Sequence, residues 1–288
     1  MTDLPSVSRP AARQESAALR RLRRNGGALL GFALLALLVL AALLGPLFLG
    51  SPTSQDLAAR LAAPSAAHWL GTDQLGRDVL TRVLSGGRIS LGLGVSVMLA
   101  SLISGSIIGL LAGLLGGWWD EVLMRVTDIF LAFPSLILAM AISAALGPNL
   151  TNVMIAVALV SWPTYARLIR AQVLALRERE FVEAARALGS SQGRVALRHL
   201  LPNSLAPLLV QGSFDVGSAI LTAAGLGFIG FGAQPPTPEW GAMVSETRNY
   251  ISQAPWASST PAIAILLTVL AFNLIGDALR DVFDPRSR

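Results

Sequence analysis

Residues 27–50 read GALLGFALLALLVLAALLGPLFLG and contain no charged side chain. A helix that crosses the hydrocarbon layer of a bilayer needs about 20 consecutive apolar residues, so this run predicts a membrane-spanning helix. Arginines precede it, as basic residues precede a signal peptide, but the run is longer than the ~7 to 15 apolar residues of a signal-peptide core. We therefore predict a permanent span rather than a cleaved leader.

Five further apolar runs follow, which gives six predicted spans. They lie between Arg88 and Asp120 and at residues 122–146, 150–169, 204–231 and 262–279, with the turn residues Gly147, Pro148 and Asn149 between two of them. Only 14% of the chain is charged and 53% is hydrophobic, whereas about 25% of residues are charged in an average soluble domain. The predicted fold class is an all-α polytopic membrane protein with six transmembrane helices.

The residue inventory excludes several kinds of chemistry. The chain has no lysine and no cysteine, and its two histidines are His68 and His199. The missing lysine excludes a P-loop and a Schiff base, and the missing cysteine excludes disulfides, thiolate nucleophiles and zinc–thiolate sites. Matches to dinucleotide and hydrolase motifs at 225–230 and 189–193 lie in a span and between helices, without the strands that such motifs need. We predict no catalytic residue and no metal site.

The arginine distribution predicts the orientation of the chain. Positive charges collect on the cytoplasmic side of membrane proteins, and a cytoplasmic N-terminus puts 17 of the 22 arginines inside. Six spans then place both termini in the cytoplasm. Arg77, Arg82 and Arg88 lie outside and alternate with apolar residues, which predicts a short amphipathic helix lying on the outer surface.

Two of the spans carry residues that predict packing. Gly105, Gly109 and Gly113 repeat every four residues in the second span, so they form a face that another helix can approach closely. In the third span, Arg125 and Asp128 lie three residues apart, which predicts a local ion pair. Pro134 should kink that helix.

The longest inner loop, residues 171–203, is patterned like a helix pair. Its apolar positions follow the spacing i, i+3, i+4, i+7 and are Phe181, Ala184, Ala185 and Leu188, which predicts an apolar stripe. Gly189 should stop this helix. Ser190 or Ser191 can cap a second short helix, which Pro202 should help to end. These residues alone fit either a docking element or an ordinary loop.

The same loop resembles the EAA motif of ABC importer permeases, the membrane subunits that dock on a cytoplasmic ATPase. The matching residues are Glu183, Ala184, Ala185, Gly189, Leu200, Leu201 and Pro202. The usual aliphatic position falls on His199, and Leu200 is the nearest aliphatic residue. Residues 71–78 (GTDQLGRD), 231–241 (FGAQPPTPEWG) and 273–285 also resemble the C-type permease of dipeptide and oligopeptide importers. The resemblance covers about residues 27 to 286.

This resemblance implies the type I ABC importer permease fold and a division of the chain. The parts are a cytoplasmic N-terminal tail at 1–25, a first transmembrane helix at 26–50, an extracytoplasmic segment at 51–88, a permease core at 89–283 with the cytoplasmic coupling loop 171–203, and a cytoplasmic C-terminus at 284–288. Its implied setting is the bacterial inner membrane. ATP hydrolysis would belong to partner subunits, so this chain would be no enzyme and would need no cofactor.

The implied partners are a homologous second permease, two cytoplasmic ABC ATPase subunits, an extracytoplasmic substrate-binding protein and membrane lipid, with no nucleic acid. The implied substrate is a di- or oligopeptide, and nickel, glutathione or opines are alternatives within the same family. A membrane scaffold or an intramembrane hydrolase is the alternative from another class. A hydrolase would need serine, histidine and acid groups at equal depth, and the sequence indicates none.

Asp215 is the only charged residue of the fifth span. It lies eleven residues beyond Ser204, or about 16 Å at ~1.5 Å per residue, near the middle of a ~30 Å hydrocarbon layer. A charge at that depth costs ~2.5 to 3.5 kcal/mol, so it must face protein or water. One expectation is a hydrogen bond to Asn273, at similar depth in the sixth span. The other is that Asp215 lines the substrate pathway and attracts the ammonium end of a passing peptide.

Overall fold

The computed structural model describes residues 25–283, and this range is helical without a regular strand. The predicted all-α class is therefore confirmed for these residues. The predictions for the C-terminus at 284–288, and for the N-terminal tail apart from Asn25, lie outside the described residues.

Five long apolar helices and one bent pair form the membrane part. In chain order the helices are α1 (Gly26–Phe48), α2 (Val79–Leu115), α3 (Gly117–Ala132), α4 (Ser135–Leu146), α5 (Leu150–Arg177), α6 (Glu180–Ala187), α7 (Gln192–Val195), α8 (Leu201–Asn203), α9 (Leu205–Ile229), α10 (Trp240–Thr247) and α11 (Pro255–Phe283). The five long helices are α1, α2, α5, α9 and α11, and the pair is α3 with α4. Six spans result when the pair is counted as one.

Polar side chains start three of the long helices, as expected for helices whose first N–H groups lack intrahelical partners. The backbone N–H groups of Ala28, Thr81 and Thr151 donate to the side chains of Asn25, Asp78 and Asn149 respectively. Asn149 follows Gly147, whose φ of 90° ends α4. The predicted turn between the third and fourth spans is confirmed.

The predicted kink at Pro134 is a complete break. α3 and α4 meet at an angle of 92°, and Phe133 between them is extended, with φ −94° and ψ 142°. Proline disfavours the helical conformation of the residue before it, so α3 ends at Ala132. The third span is thus two short helices instead of one kinked helix.

The predicted ion pair between Arg125 and Asp128 is wrong. Arg125 instead lies 3.8 Å from Glu121, one turn earlier on the exposed surface of α3. Asp128 accepts a hydrogen bond of 2.6 Å from Arg167 on α5. The partner changed because α3 packs beside α5, and a long arginine side chain on the neighbouring helix reaches the carboxylate.

The predicted amphipathic helix on the outer surface is also wrong. Val79 begins α2, which continues for 37 residues, or about 55 Å at ~1.5 Å per residue. Arg82 and Arg88 therefore belong to the first turns of a membrane helix. Arg77 and Arg82 are only 1% exposed, because the nearby Asp73 and the sequence-distant Glu246 pair with both of them.

The glycine face of α2 packs against α5 as predicted. A Cβ atom on Gly105 would lie 2.6 Å from the Cβ of Tyr165, and one on Gly113 would lie 2.7 Å from a methyl group of Val173. At Gly109 the obstacle is the backbone carbonyl of Ala166. Distances this short leave no room for a side chain, so the glycines set how closely α2 and α5 approach.

Candidate coupling segment and translocation cavity

α6 follows α5 after a link of two residues, and one of its faces meets the membrane helices. Val182 and Ala185 form that face, with exposed fractions of 0% and 9%. Phe181, Ala184 and Leu188 are exposed. Only Ala185 of the four residues in the predicted apolar stripe is buried, so most of the stripe lies outside the face that packs on the membrane helices.

The buried side of residues 180–203 shares one apolar cluster with the membrane helices. Val182, Ala185, Val195 and Leu200 pack in this cluster with Tyr165, Ile169 and Val173 of α5 and Leu208 of α9. Closely packed interiors transmit displacements because they contain little free volume. A force applied to α6 therefore acts on α5 and α9.

The opposite side of the segment exposes large apolar side chains among charged ones. Leu188 is 87% exposed and Leu197 is 67% exposed, and Phe181 lies nearby in contact with the ring of His199. Glu183 and Ala184 of the predicted motif also face outward. Large apolar residues exposed outside the membrane spans are typical of an interaction site when they are contiguous.

Gly189 ends α6 as predicted. Its φ is 80°, a conformation in which a residue with a Cβ atom is strained. The N–H of Gly189 donates to the Arg186 carbonyl at 2.9 Å, and that of Ser190 donates to the Ala185 carbonyl at 3.0 Å. Ser191 is the residue that caps α7, by accepting from the N–H of Arg194.

Pro202 does not end the second helix of the segment, contrary to the prediction. A wide π-helical turn, Ala196–Leu200, leads into α8, and α9 follows after Ser204. Pro202 lies in the first turn of α8, where a proline is tolerated because that N–H group has no intrahelical partner. Leu200 is fully buried, Leu201 is half-buried and Pro202 is exposed.

Asp215 faces a cavity of about 180 Å³ between α4, α5 and α9. Its polar lining consists of Ser135, Ser161, Thr164, Asp215, Ser218 and Thr222. Sequence reasoning missed the five hydroxyl residues. A signal was available in α9, since Asp215, Ser218 and Thr222 are spaced i, i+3, i+7 and so share a helix face.

The expected hydrogen bond between Asp215 and Asn273 is absent from the described residues, where the Asp215 carboxylate accepts from Gln211 at 2.9 Å. The reason is the rotation of α9. Its face toward α11 carries Phe214 and Gly217, which adjoin Gly276 and Val269 respectively. Asp215 is turned away from that face by the ~100° between successive helical residues. Asn273 itself is exposed.

Comparison with known proteins identifies relatives along almost the whole chain. The family described as "Binding-protein-dependent transport system inner membrane component" matches residues 105–288. The family described as "N-terminal TM domain of oligopeptide transport permease C" matches residues 16–64.

Individual relatives are similar over most of their own length. The dipeptide transport system permease protein DppC of Alkalihalophilus pseudofirmus is 47% identical over 94% of this chain and 90% of the relative. A probable D,D-dipeptide transport system permease of Escherichia coli is 51% identical over 82% of this chain and 79% of the relative. A glutathione transport system permease of Pectobacterium atrosepticum is 48% identical over 77% of this chain and 74% of the relative.

The fold has a solved counterpart in the inward-facing MetNI methionine ABC transporter. A chain of that structure aligns with a TM-score of 0.57 and 18% identity, over 70% of this chain and 97% of the other. The predicted type I importer fold is thereby confirmed. With the family match at residues 105–288 and the long relatives, these findings establish that the chain belongs to the binding-protein-dependent transport system inner membrane components, the permease subunits of ABC importers.

Proposed function

We propose that this permease carries di- or oligopeptides and receives its driving motion from a cytoplasmic ATPase through residues 180–203. Two relatives are named for dipeptide or di/tripeptide transport, and each is similar over more than nine tenths of this chain. The relative named for glutathione aligns over a smaller share, 77%. This difference favours peptides over the glutathione alternative.

Residues 180–203, which we call the coupling segment, have two sides with different surroundings, and this arrangement supports the proposal. One side is buried in the cluster that contains α5 and α9, and the other exposes Leu188 and Leu197. An ATPase that binds the exposed side and moves on ATP binding displaces α5 and α9, which supply most of the cavity around Asp215. Glu183, Ala184 and Gly189 lie at this docking surface, whereas Ala185 and Leu200 anchor it from beneath.

The partners follow from this arrangement. Two ATPase subunits require two coupling segments, so the complex includes a homologous second permease. The segment at residues 51–78 and the region of Tyr250 lie together, since Arg60 lies over the Tyr250 ring at 5.6 Å. We assign this side to the extracytoplasmic face, where a substrate-binding protein delivers peptide, and both termini to the cytoplasm. Membrane lipid surrounds the complex.

The test is reconstitution of the permease with its second permease, ATPases and binding protein in proteoliposomes. We expect peptide-loaded binding protein to stimulate ATP hydrolysis and to drive peptide into the lumen. A matched preparation that omits this chain should do neither. Stable assembly with ATP-driven uptake of another solute, but not of any peptide, would overturn the substrate assignment. Failure to bind any ATPase would overturn the coupling assignment.

A further inference from the structure

The cavity around Asp215 has an unusual balance of charge for a site within a membrane span. The Asp215 carboxylate accepts a hydrogen bond of 2.9 Å from a neutral side chain, the amide of Gln211. Among residues 25–283 no arginine forms an ion pair with it, whereas Asp120 and Asp128 on α3 each pair with an arginine of α5. Asp215 therefore has no cationic partner among the described residues.

The remaining lining supplies hydrogen-bond acceptors. Ser135, Ser161, Thr164, Ser218 and Thr222 place five hydroxyl oxygens on the walls. The Ser161 hydroxyl donates its proton to the Val157 carbonyl, so its oxygen keeps lone pairs that can accept a hydrogen bond. The site thus combines one negative group with several oxygen acceptors.

This composition selects the chemistry of a ligand. An anion is repelled by Asp215. Divalent metal sites are commonly built from several carboxylate, histidine or thiolate ligands, and the described residues contain no group of three such side chains. A primary ammonium group has one positive charge and three N–H donors, which matches one carboxylate and nearby hydroxyl oxygens.

The size of the cavity limits how much of the ligand it holds. A volume of about 180 Å³ corresponds to roughly six water molecules at ~30 Å³ each. That space accepts an ammonium group and the carbon atoms next to it, but not an entire oligopeptide. The rest of the peptide would lie outside this cavity.

We propose that the cavity between α4, α5 and α9 is a transient binding site for the ammonium group of a translocating peptide, with Asp215 as the specificity-determining residue. This inference rests on the proposed peptide substrate. Weak binding suits a site on a translocation pathway, because such a site must release its ligand as readily as it binds it. The site would favour peptides with a free amino terminus or a lysine side chain.

The decisive experiment neutralises the carboxylate without removing it. Ser218 lies one helical turn from Asp215 on the same wall and is exposed to the cavity. Ser218→Lys introduces a cation that pairs with Asp215, and Ser218→Met introduces similar bulk without charge. Uptake is measured in proteoliposomes with saturating peptide-loaded binding protein. We expect initial peptide uptake by Ser218→Lys to be at least about tenfold slower than by Ser218→Met. The reason is that the peptide ammonium group loses its hydrogen bond to the Asp215 carboxylate, and hydrogen bonds to charged groups are among the stronger ones.

A second pair of variants gives an independent readout. Asp215→Asn should slow uptake to a similar degree, and Asp215→Glu should restore most of it, while both still co-purify with the ATPase. Equal uptake by Ser218→Lys and Ser218→Met would overturn the site, whether or not Asp215→Asn assembles. Unchanged uptake by an assembled Asp215→Asn complex would also overturn it. If the wild-type complex imports no peptide, the proposed function fails first, and the ammonium site fails with it.

Discussion

Arg77 donates a hydrogen bond of 2.5 Å to Glu246, although 169 positions separate the two residues in the chain. Arg77 also donates to Asp73 at 2.6 Å, and Arg82 reaches Glu246 at 3.3 Å. These four side chains join the start of α2 and the segment before it to the last turn of α10. Two positive and two negative groups balance each other, which explains how both arginines remain buried.

Removal of one member of this cluster should destabilise the outer side of the protein. Breaking a buried ion pair typically costs ~3 to 5 kcal/mol, because the remaining charges stay buried without compensation. We expect Arg77→Met to lower the thermal unfolding midpoint of the purified protein in detergent. Arg125→Met is the control, since Arg125 is exposed and lies 3.8 Å from its partner. Equal midpoints for the two variants would contradict a stabilising role for the cluster.

The approach of α2 to α5 should depend on Gly109. A methyl group there meets the Ala166 carbonyl and lies 3.0 Å from the Cβ of Ile169, and overpacking of this kind typically costs ~1 to 3 kcal/mol. We therefore expect Gly109→Ala to lower the unfolding midpoint. Gly92 lies on the same helix with open space around its Cβ position, so Gly92→Ala should not lower it. A midpoint unchanged by Gly109→Ala would mean that the helices separate at little cost.

The chain reversal after α6 should require glycine at position 189. A side chain at its φ of 80° costs ~1 kcal/mol or more, and a β-branched residue is strained further. We expect Gly189→Val to reach the membrane normally but to bind its ATPase weakly. Gly193→Val is the matched control, because Gly193 lies in α7 without positive φ and with open space around it. Equal ATPase recovery from both variants by co-purification would exclude a special role for Gly189.

Glu183 should act at the docking surface rather than in folding. Its side chain is exposed and forms no ion pair within residues 25–283, so reversal of its charge has little to disrupt inside the chain. We expect Glu183→Arg to retain its unfolding midpoint and to reduce peptide-stimulated ATP hydrolysis severalfold. Glu180→Arg, also exposed and in the same helix, should reduce it less. Full stimulation in Glu183→Arg would remove this residue from the coupling surface.

The predicted orientation is testable by cysteine labelling, since the chain has no cysteine of its own. A membrane-impermeant thiol reagent should label Gln55→Cys and Gln253→Cys in intact cells. Leu188→Cys should react only after the membrane is opened, although Leu188 is 87% exposed. Tags at residues 3 and 286 should likewise be shielded in intact cells. Labelling of Leu188→Cys in intact cells would contradict the proposed topology.

The sequence by itself determined the class of protein and its local features. Six apolar runs predicted the spans, the glycines at 105, 109 and 113 predicted a close helix contact, and Gly189 predicted a helix end. These features depend on hydropathy, on the absence of a side chain or on the conformation of one residue. Each is a property of a short stretch, so its physical cause is contained in the stretch itself.

Only the tertiary structure decided which residues meet. The pairing of Arg77 with Glu246, the burial of Val182 in place of Phe181, and the turn of Asp215 away from Asn273 all depend on how each helix is rotated about its axis. That rotation is fixed by packing against neighbours that lie far away in sequence, and a change of one residue in register turns a side chain by ~100°. The depth of Asp215 in the membrane can be counted along the sequence. The direction in which its side chain points cannot be counted in this way, and it is this direction that places Asp215 in the cavity.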